Sequence, residues 1–233
     1  GTVFVKDSSA NKCGVVTSSY EILLSMMFST QEFLELKEAL VPDVLEKIRS
    51  MARAEARLLY REGAARNDGT SLVEISAEIS DKITVVHDAL EQRLHAMSAE
   101  ELSSTYGDFR DVLLDHLPQA AHPFADEKLE QVPLAYRMAA VAANLSSNMV
   151  YSEGCGFVSE IEVSCGGDKK ATAVALAETA LSYREQKARV TSLVEGLKTG
   201  GLHGLSEADA AEVAALLEAG GVRSGLQMRR NKH

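Results

Sequence analysis

Eight apolar residues between Leu72 and Met97 recur at steps of three or four: Leu72, Ile75, Ile79, Ile83, Val86, Leu90, Leu94 and Met97. That period puts them on one side of an α-helix about seven turns long, and excludes a strand, whose faces alternate every two residues. A stripe so long and continuous has to be covered by other helices, so the rest of the chain is read for segments able to cover it. Ser71-Leu72-Val73-Glu74 is a capping box and fixes where this helix starts.

The same Ser-x-x-Glu signal recurs at Ser29-Thr30-Gln31-Glu32 and Ser98-Ala99-Glu100-Glu101. The first opens a helix with Phe33, Leu36 and Leu40 inward, and Pro42 is read as the first turn of a further helix running to about Arg66. Asn67-Asp68-Gly69 reads as a turn. The segment around His116-Leu117-Pro118 and His122-Pro123-Phe124 is less regular. Pro133 starts a helix with Leu134, Met138, Val141, Leu145 and Met149 inward, ending at Gly154. Phe157 to Ser164 fits strand and helix equally. Asp168 opens a long helix to about Lys198, and Ser206 a last one to about Ala219. Residues 154–168 and 199–205 read as linkers. Hydrophobic residues are 45% of the 233, aromatics only 5% with no Trp, and Pro occurs four times. That composition fits an Ala/Leu-rich helical interior rather than a β-sandwich.

The formal net charge of −10 argues against a nucleic-acid surface, which needs a basic face. The basic run from Arg223 to His233 reads as a solvated tail. No apolar run approaches the ~20 residues of a membrane helix. The three cysteines, at 13, 155 and 165, form no Cys-x-x-Cys pair and read as reduced thiols. His87 and His95 lie eight residues apart, and no metal-ligand spacing is present. Gly154-Cys155-Gly156-Phe157-Val158-Ser159 approximates a dinucleotide-loop pattern but follows a helix rather than a strand, so Gly154 reads as a helix C-cap.

One stretch allows two readings: a strand, a loop and a helix N-capped by Asn11 or Thr17, or a ligand site. The apolar run Thr2-Val3-Phe4-Val5 reads as a buried strand whose partners precede Gly1. A polar loop follows, then a helix with Val16, Tyr20, Leu23, Leu24 and Met27 on one face. Gly14, Thr17, Ser18, Glu21 and Ser25 share another. Gly14 allows close backbone approach of a ligand, the first turn of the helix favours an anion, and Ser18 offers a hydroxyl one turn in.

Here the run Asn11-Lys12-Cys13-Gly14-Val15-Val16-Thr17-Ser18-Ser19-Tyr20-Glu21 resembles the Asn-Ala-Gly-Gly-Val-x-x-Ser-x-x-Glu motif of the glutamate dehydrogenase superfamily, with Lys12 for the Ala and Cys13 for the first Gly. The longer wording from Lys6 to Val15 looks like the large NAD-specific members. Arg53 to Glu62, His116-Leu117-Pro118 and Met149 to Gly154 add to the likeness, which extends to about residue 200.

The resemblance implies a mainly α C-terminal segment with one strand left from a Rossmann-type coenzyme domain. Residues 1–28 would be the end of that domain and a hinge helix, 29–200 a helical domain, and 201–233 a terminal helix and basic tail. It implies Ser18 on the side-chain carboxylate of glutamate, Val15 beside it, and Asn11 at the junction of substrate and nicotinamide. NAD is the implied cofactor, L-glutamate and 2-oxoglutarate the substrates, and a homo-oligomer the assembly. The compartment would be the cytoplasm, or the mitochondrial matrix in a eukaryote. The superfamily's catalytic Lys and Asp and its Gly-rich loop would lie upstream, so the isolated chain is expected to be inactive. Two other readings stay open: a dehydrogenase of leucine, phenylalanine or valine, and a non-catalytic helical interaction module.

Overall fold

The structure is a computed structural model that describes residues 4–10, 13–66, 68–200, 206, 208, 209 and 211–213. The described residues fold as helices joined by short turns: α1 (Asp7–Ala10), α2 (Cys13–Met27), α3 (Thr30–Ala65), α4 (Leu72–Ala96) and α5 (Ala99–His116), then α6 (Ala125–Lys128), α7 (Leu134–Glu153), α8 (Cys155–Ser164) and α9 (Lys169–Gly200). Two 3-10 turns, Gln119–Phe124 and Leu129–Gln131, flank α6. No strand occurs among the described residues. Phe4 and Val5 carry no regular structure and are exposed, so at these two positions the expected buried strand is not formed. A strand there needs a neighbouring strand to take its backbone groups, and none is present among the described residues. Thr2 and Val3 lie outside them.

The α4 stripe is the axis of the core. Ile75, Ile79, Val86, Leu90 and Leu94 are buried, while Leu72, Ile83 and Met97 pack at its margin. Burying each such side chain contributes about 1.5–3 kcal/mol. Helices α7 and α9 cover α4 most extensively. Their facing residues alternate large and small: Val141, Ala142, Leu145 and Met149 on α7, and Leu176, Ala177, Ala180 and Tyr183 on α9. The alanines let the backbones approach closely enough for the larger side chains to interdigitate.

All three capping boxes close. Ser29 N–H donates to Glu32 Oε2 at 2.8 Å and Glu32 N–H donates back to Ser29 Oγ at 3.3 Å. The Ser71–Glu74 and Ser98–Glu101 pairs repeat this at 2.8 and 3.2 Å. At α9, Asp168 Oδ1 accepts from the backbone N–H of Lys170 and Ala171.

Three expectations are corrected. Pro42 does not open a new helix; it lies inside the continuous α3. Its missing N–H leaves the Glu38 carbonyl without a helical donor, but Pro42 and Glu38 are both exposed, on the side of the helix where solvent can reach that carbonyl. Leu40 and Ile48, on either side of it, bury on the same face and keep the helix in one piece. Residues 154–168 are not a linker: α8 occupies most of them, with Phe157, Val158 and Ile161 buried. That also decides Phe157–Ser164 as helix. Leu134, read as inward, is about half exposed, because the inward stripe of α7 begins one turn later at Met138.

Gly154 is the single residue between α7 and α8. Its φ of 91° is the left-handed region, and its N–H closes α7 by donating to the Val150 carbonyl at 2.8 Å. A Cβ there would meet Glu62 Oε1 of α3 at 2.4 Å. The dinucleotide-like wording at Gly154–Ser159 is therefore a helix–helix corner, as expected from its context.

Candidate functional site

The two sequence-predicted faces of α2 form over most of its length, though Val16 of the apolar face and Thr17 of the polar one are alike half-buried. Tyr20, Leu23, Leu24 and Met27 are buried, whereas Gly14, Ser18, Glu21 and Ser25 are exposed. The two stripes differ because apolar and small polar residues follow the same helical period a third of a turn apart. Gly14 has open space around its Cβ position, so a ligand can approach the backbone there. Ser18 sits one turn further on, between Gly14 and Glu21 along the same face. Val15 lies in the first turn of α2, with its side chain outside the described set, and Asn11 lies outside the described residues.

Two contacts fix the position of this face. Tyr136 on α7 donates its hydroxyl to the Ser19 carbonyl at 3.3 Å, immediately after Ser18. On the buried side, Tyr20 stacks on His116 at the end of α5, with ring centroids 5.0 Å apart and planes 22° apart. Burial pushes the Tyr20 phenol up to about 12. Burial, with the Lys47 charge next in effect, pulls His116 down to about 4, so the stacked imidazole is neutral near pH 7.

Around this stack α3 supplies two caps to other segments. Lys47 Nζ donates to the Asp115 carbonyl at the C-terminal end of α5, where a cation meets the negative pole of the helix. Burial lowers its pKa, opposed by the neighbouring Asp115 and Asp43 carboxylates. Asp43 Oδ2 accepts from the Ala120 N–H at 2.7 Å, capping the 3-10 turn Gln119–Phe124. Arg184 of α9 reaches the Asp115 carboxylate at 2.8 Å. The polar junction thus ties α2, α3, α5 and α9 together behind the exposed α2 face. Sequence reading missed Tyr136, Lys47 and Asp43, whose roles depend on contacts across 68 to 117 residues of chain. The irregular His116-Leu117-Pro118 was the one available signal.

The described residues do not build a dinucleotide cradle. That cradle needs a strand, a Gly-rich turn and a helix N-terminus in succession, and no strand occurs among them. On α4, one ligand atom each from His87, Asp88 and Glu91 comes within 4.8 Å of the others. These are neighbours within one turn on a solvated helix face. No helix among the described residues is long and apolar enough to cross a membrane.

No family model matches the sequence, and no solved structure is significantly similar to it. Curated proteins do match. NAD-specific glutamate dehydrogenase of Neurospora crassa is 32% identical over 168 residues, and that of Saccharomyces cerevisiae 29% over 168. The chain resembles a segment of the NAD-specific glutamate dehydrogenases. Glutamate dehydrogenase 2 of Dictyostelium discoideum is 29% identical over 172 residues. Each alignment covers 66% of this chain and 15% of the relative, so the chain spans 15% of the length of the glutamate dehydrogenases it matches.

Proposed function

We propose that this chain is the C-terminal part of an NAD-dependent glutamate dehydrogenase, which interconverts glutamate, NAD and water with 2-oxoglutarate, ammonia and NADH. The observation that carries this reading is the glutamate dehydrogenase relatives taken together with the α2 face. The motif wording from Cys13 to Glu21 falls on a helix whose Gly14–Ser18–Glu21 side is open, while its other side is locked into the core.

In this reading the exposed α2 face is one wall of the substrate cleft. The Ser18 hydroxyl donates to the side-chain carboxylate of glutamate, Val15 lines the wall beside it, and Asn11 stands where substrate and nicotinamide meet. A hydroxyl aimed at the distal carboxylate is left without its partner when an apolar amino acid binds, which selects against leucine, phenylalanine and valine. NAD supplies hydride transfer when bound. In this reading Asn11 is the residue of this chain beside the nicotinamide, and the described residues build no strand–turn–helix cradle for the cofactor. What this chain contributes is orientation: the Tyr136 bond and the Tyr20–His116 stack hold α2 at a fixed angle and depth.

Ser18→Ala in the full-length enzyme tests the assignment. KM for glutamate is expected to rise about tenfold or more, the worth of one hydrogen bond to a charged group, with KM for NAD unchanged. Equal losses for both ligands, or an unaltered glutamate KM, would remove Ser18 from the substrate wall.

A further inference from the structure

Helix α4 carries one buried hydroxyl beside its apolar stripe. Ser76 is 3% exposed and sits between Ile75 and Ile79 in the sequence, both of them buried. An alanine there would favour the helix more and bury no polar group. A hydroxyl at such a place costs free energy unless it finds a partner. The other two buried serine and threonine hydroxyls among the described residues bond back to their own helices. Ser146 Oγ donates to the Ala143 carbonyl at 3.2 Å and Thr179 Oγ1 to the Ala175 carbonyl at 2.6 Å. Ser76 reaches outward instead: its Oγ lies 2.5 Å from Ser9 Oγ, across 67 residues of chain.

Ser9 is the third of the four residues of α1, and its N–H donates to the Lys6 carbonyl at 3.0 Å. In the sequence it comes two residues before Asn11, and Cys13, two residues after Asn11, is the first of α2. The contacts already described for α2 act further along, at the Ser19 carbonyl and the Tyr20 ring. Both come after Ser18, whereas the Ser9–Ser76 pair comes before Asn11.

We propose that Ser76 is a positioning residue for Asn11: its bond to Ser9 ties the polar segment ahead of α2 to the central core helix. The proposal rests on the reading that puts Asn11 where substrate and nicotinamide meet. Helix α4 suits the task because its apolar stripe is packed on by α7 and α9, and a side chain borrowed from a packed element holds a site more tightly than one on a loop. Two anchors then divide the site. Tyr136 holds the Ser18 end, which reads the side-chain carboxylate of glutamate. Ser76 holds the Asn11 end, where the reacting atoms meet. Loss of the first shows in KM for glutamate. Loss of the second shows in kcat, because a displacement of about 1 Å at the reacting atoms slows the chemical step steeply.

Kinetics of the full-length enzyme test it. Ser76→Ala and Ser9→Ala are each expected to lower kcat about tenfold, with KM for glutamate within about twofold of the original. Combined, they should lose no more than either alone, since both remove the same bond. Ser9→Thr keeps a hydroxyl at a half-buried position and should retain kcat. Asn11→Ala is measured alongside. If it lowers kcat while Ser76→Ala and Ser9→Ala do not, the anchor is overturned and the reading of Asn11 stands. If Asn11→Ala itself leaves kcat unaltered, that reading fails and the proposal falls with it. Losses that multiply in the double variant, or that Ser9→Thr shares, would also overturn it, because they would mark general helix packing rather than one shared bond.

Discussion

His116 gives the chain a defined weakness to acid. In the folded protein its imidazole is pulled down to about 4 by burial and by Lys47, against an ordinary value of 6.5. As pH falls below 6.5 the unfolded chain takes up a proton that the folded one refuses. Stability is therefore full above about 6.5, is lost progressively toward 4, and levels off below that. At pH 4.5 the two values correspond to a loss of about 2.5 kcal/mol at most; residual solvent contact brings this to ~1–2.5 kcal/mol. The perturbation that isolates it is His116→Phe, which keeps an aromatic ring against Tyr20 but cannot titrate. Urea unfolding followed by far-ultraviolet circular dichroism, at pH 7 and 4.5, gives the stability change for both proteins. Carboxylates titrate alike in the two, so the difference between their changes belongs to His116. The original chain should lose more than the variant by the figure above. Equal losses would refute the reasoning, as would an NMR titration of His116 with a midpoint at or above 6.5.

Two further outcomes follow from the packing. Leu90→Ala, at a fully buried point where α7 and α9 close over α4, should cost about 2–5 kcal/mol in urea unfolding; a loss under about 1 kcal/mol would show that this stripe is not the central packing surface. Pro42→Ala should stabilise the chain, by up to ~3 kcal/mol, because it returns a helical N–H to the Glu38 carbonyl. A lowered melting temperature would mean that Pro42 makes a favourable contact outweighing the lost bond.

What could be read in advance divides along a physical line. Features set by neighbours three or four residues apart were legible. The α4 stripe, the three Ser-x-x-Glu starts, the Gly154 stop and the two faces of α2 all rest on contacts within a turn of helix. Features set by distant contacts were not. Pro42 reads locally as a helix start, and only the burial of Leu40 and Ile48 on one face joins the two halves. The α8 segment reads ambiguously because Phe157, Val158 and Ile161 are buried in a helix that packs on distant α4 as well as on its neighbours α7 and α9. The same division holds at the candidate site. The exposed Gly14–Ser18–Glu21 face follows from periodicity. The Tyr136 bond that steadies it joins residues 117 apart, and no local pattern announces it.

The corner at Gly154 constrains how such a chain can diverge. Elsewhere in the core a lost methylene can be offset by a gain in a neighbour, so sequence can drift in small reversible steps. Position 154 offers no such path. Any side chain would meet a backbone angle unsuited to it and a carboxylate of α3 already in the way. The Glu62 carboxylate can swing aside, but the backbone angle stays one that a residue with a Cβ rarely adopts. Relatives that keep this three-helix corner are therefore confined to glycine here, even where the helices on either side share little sequence.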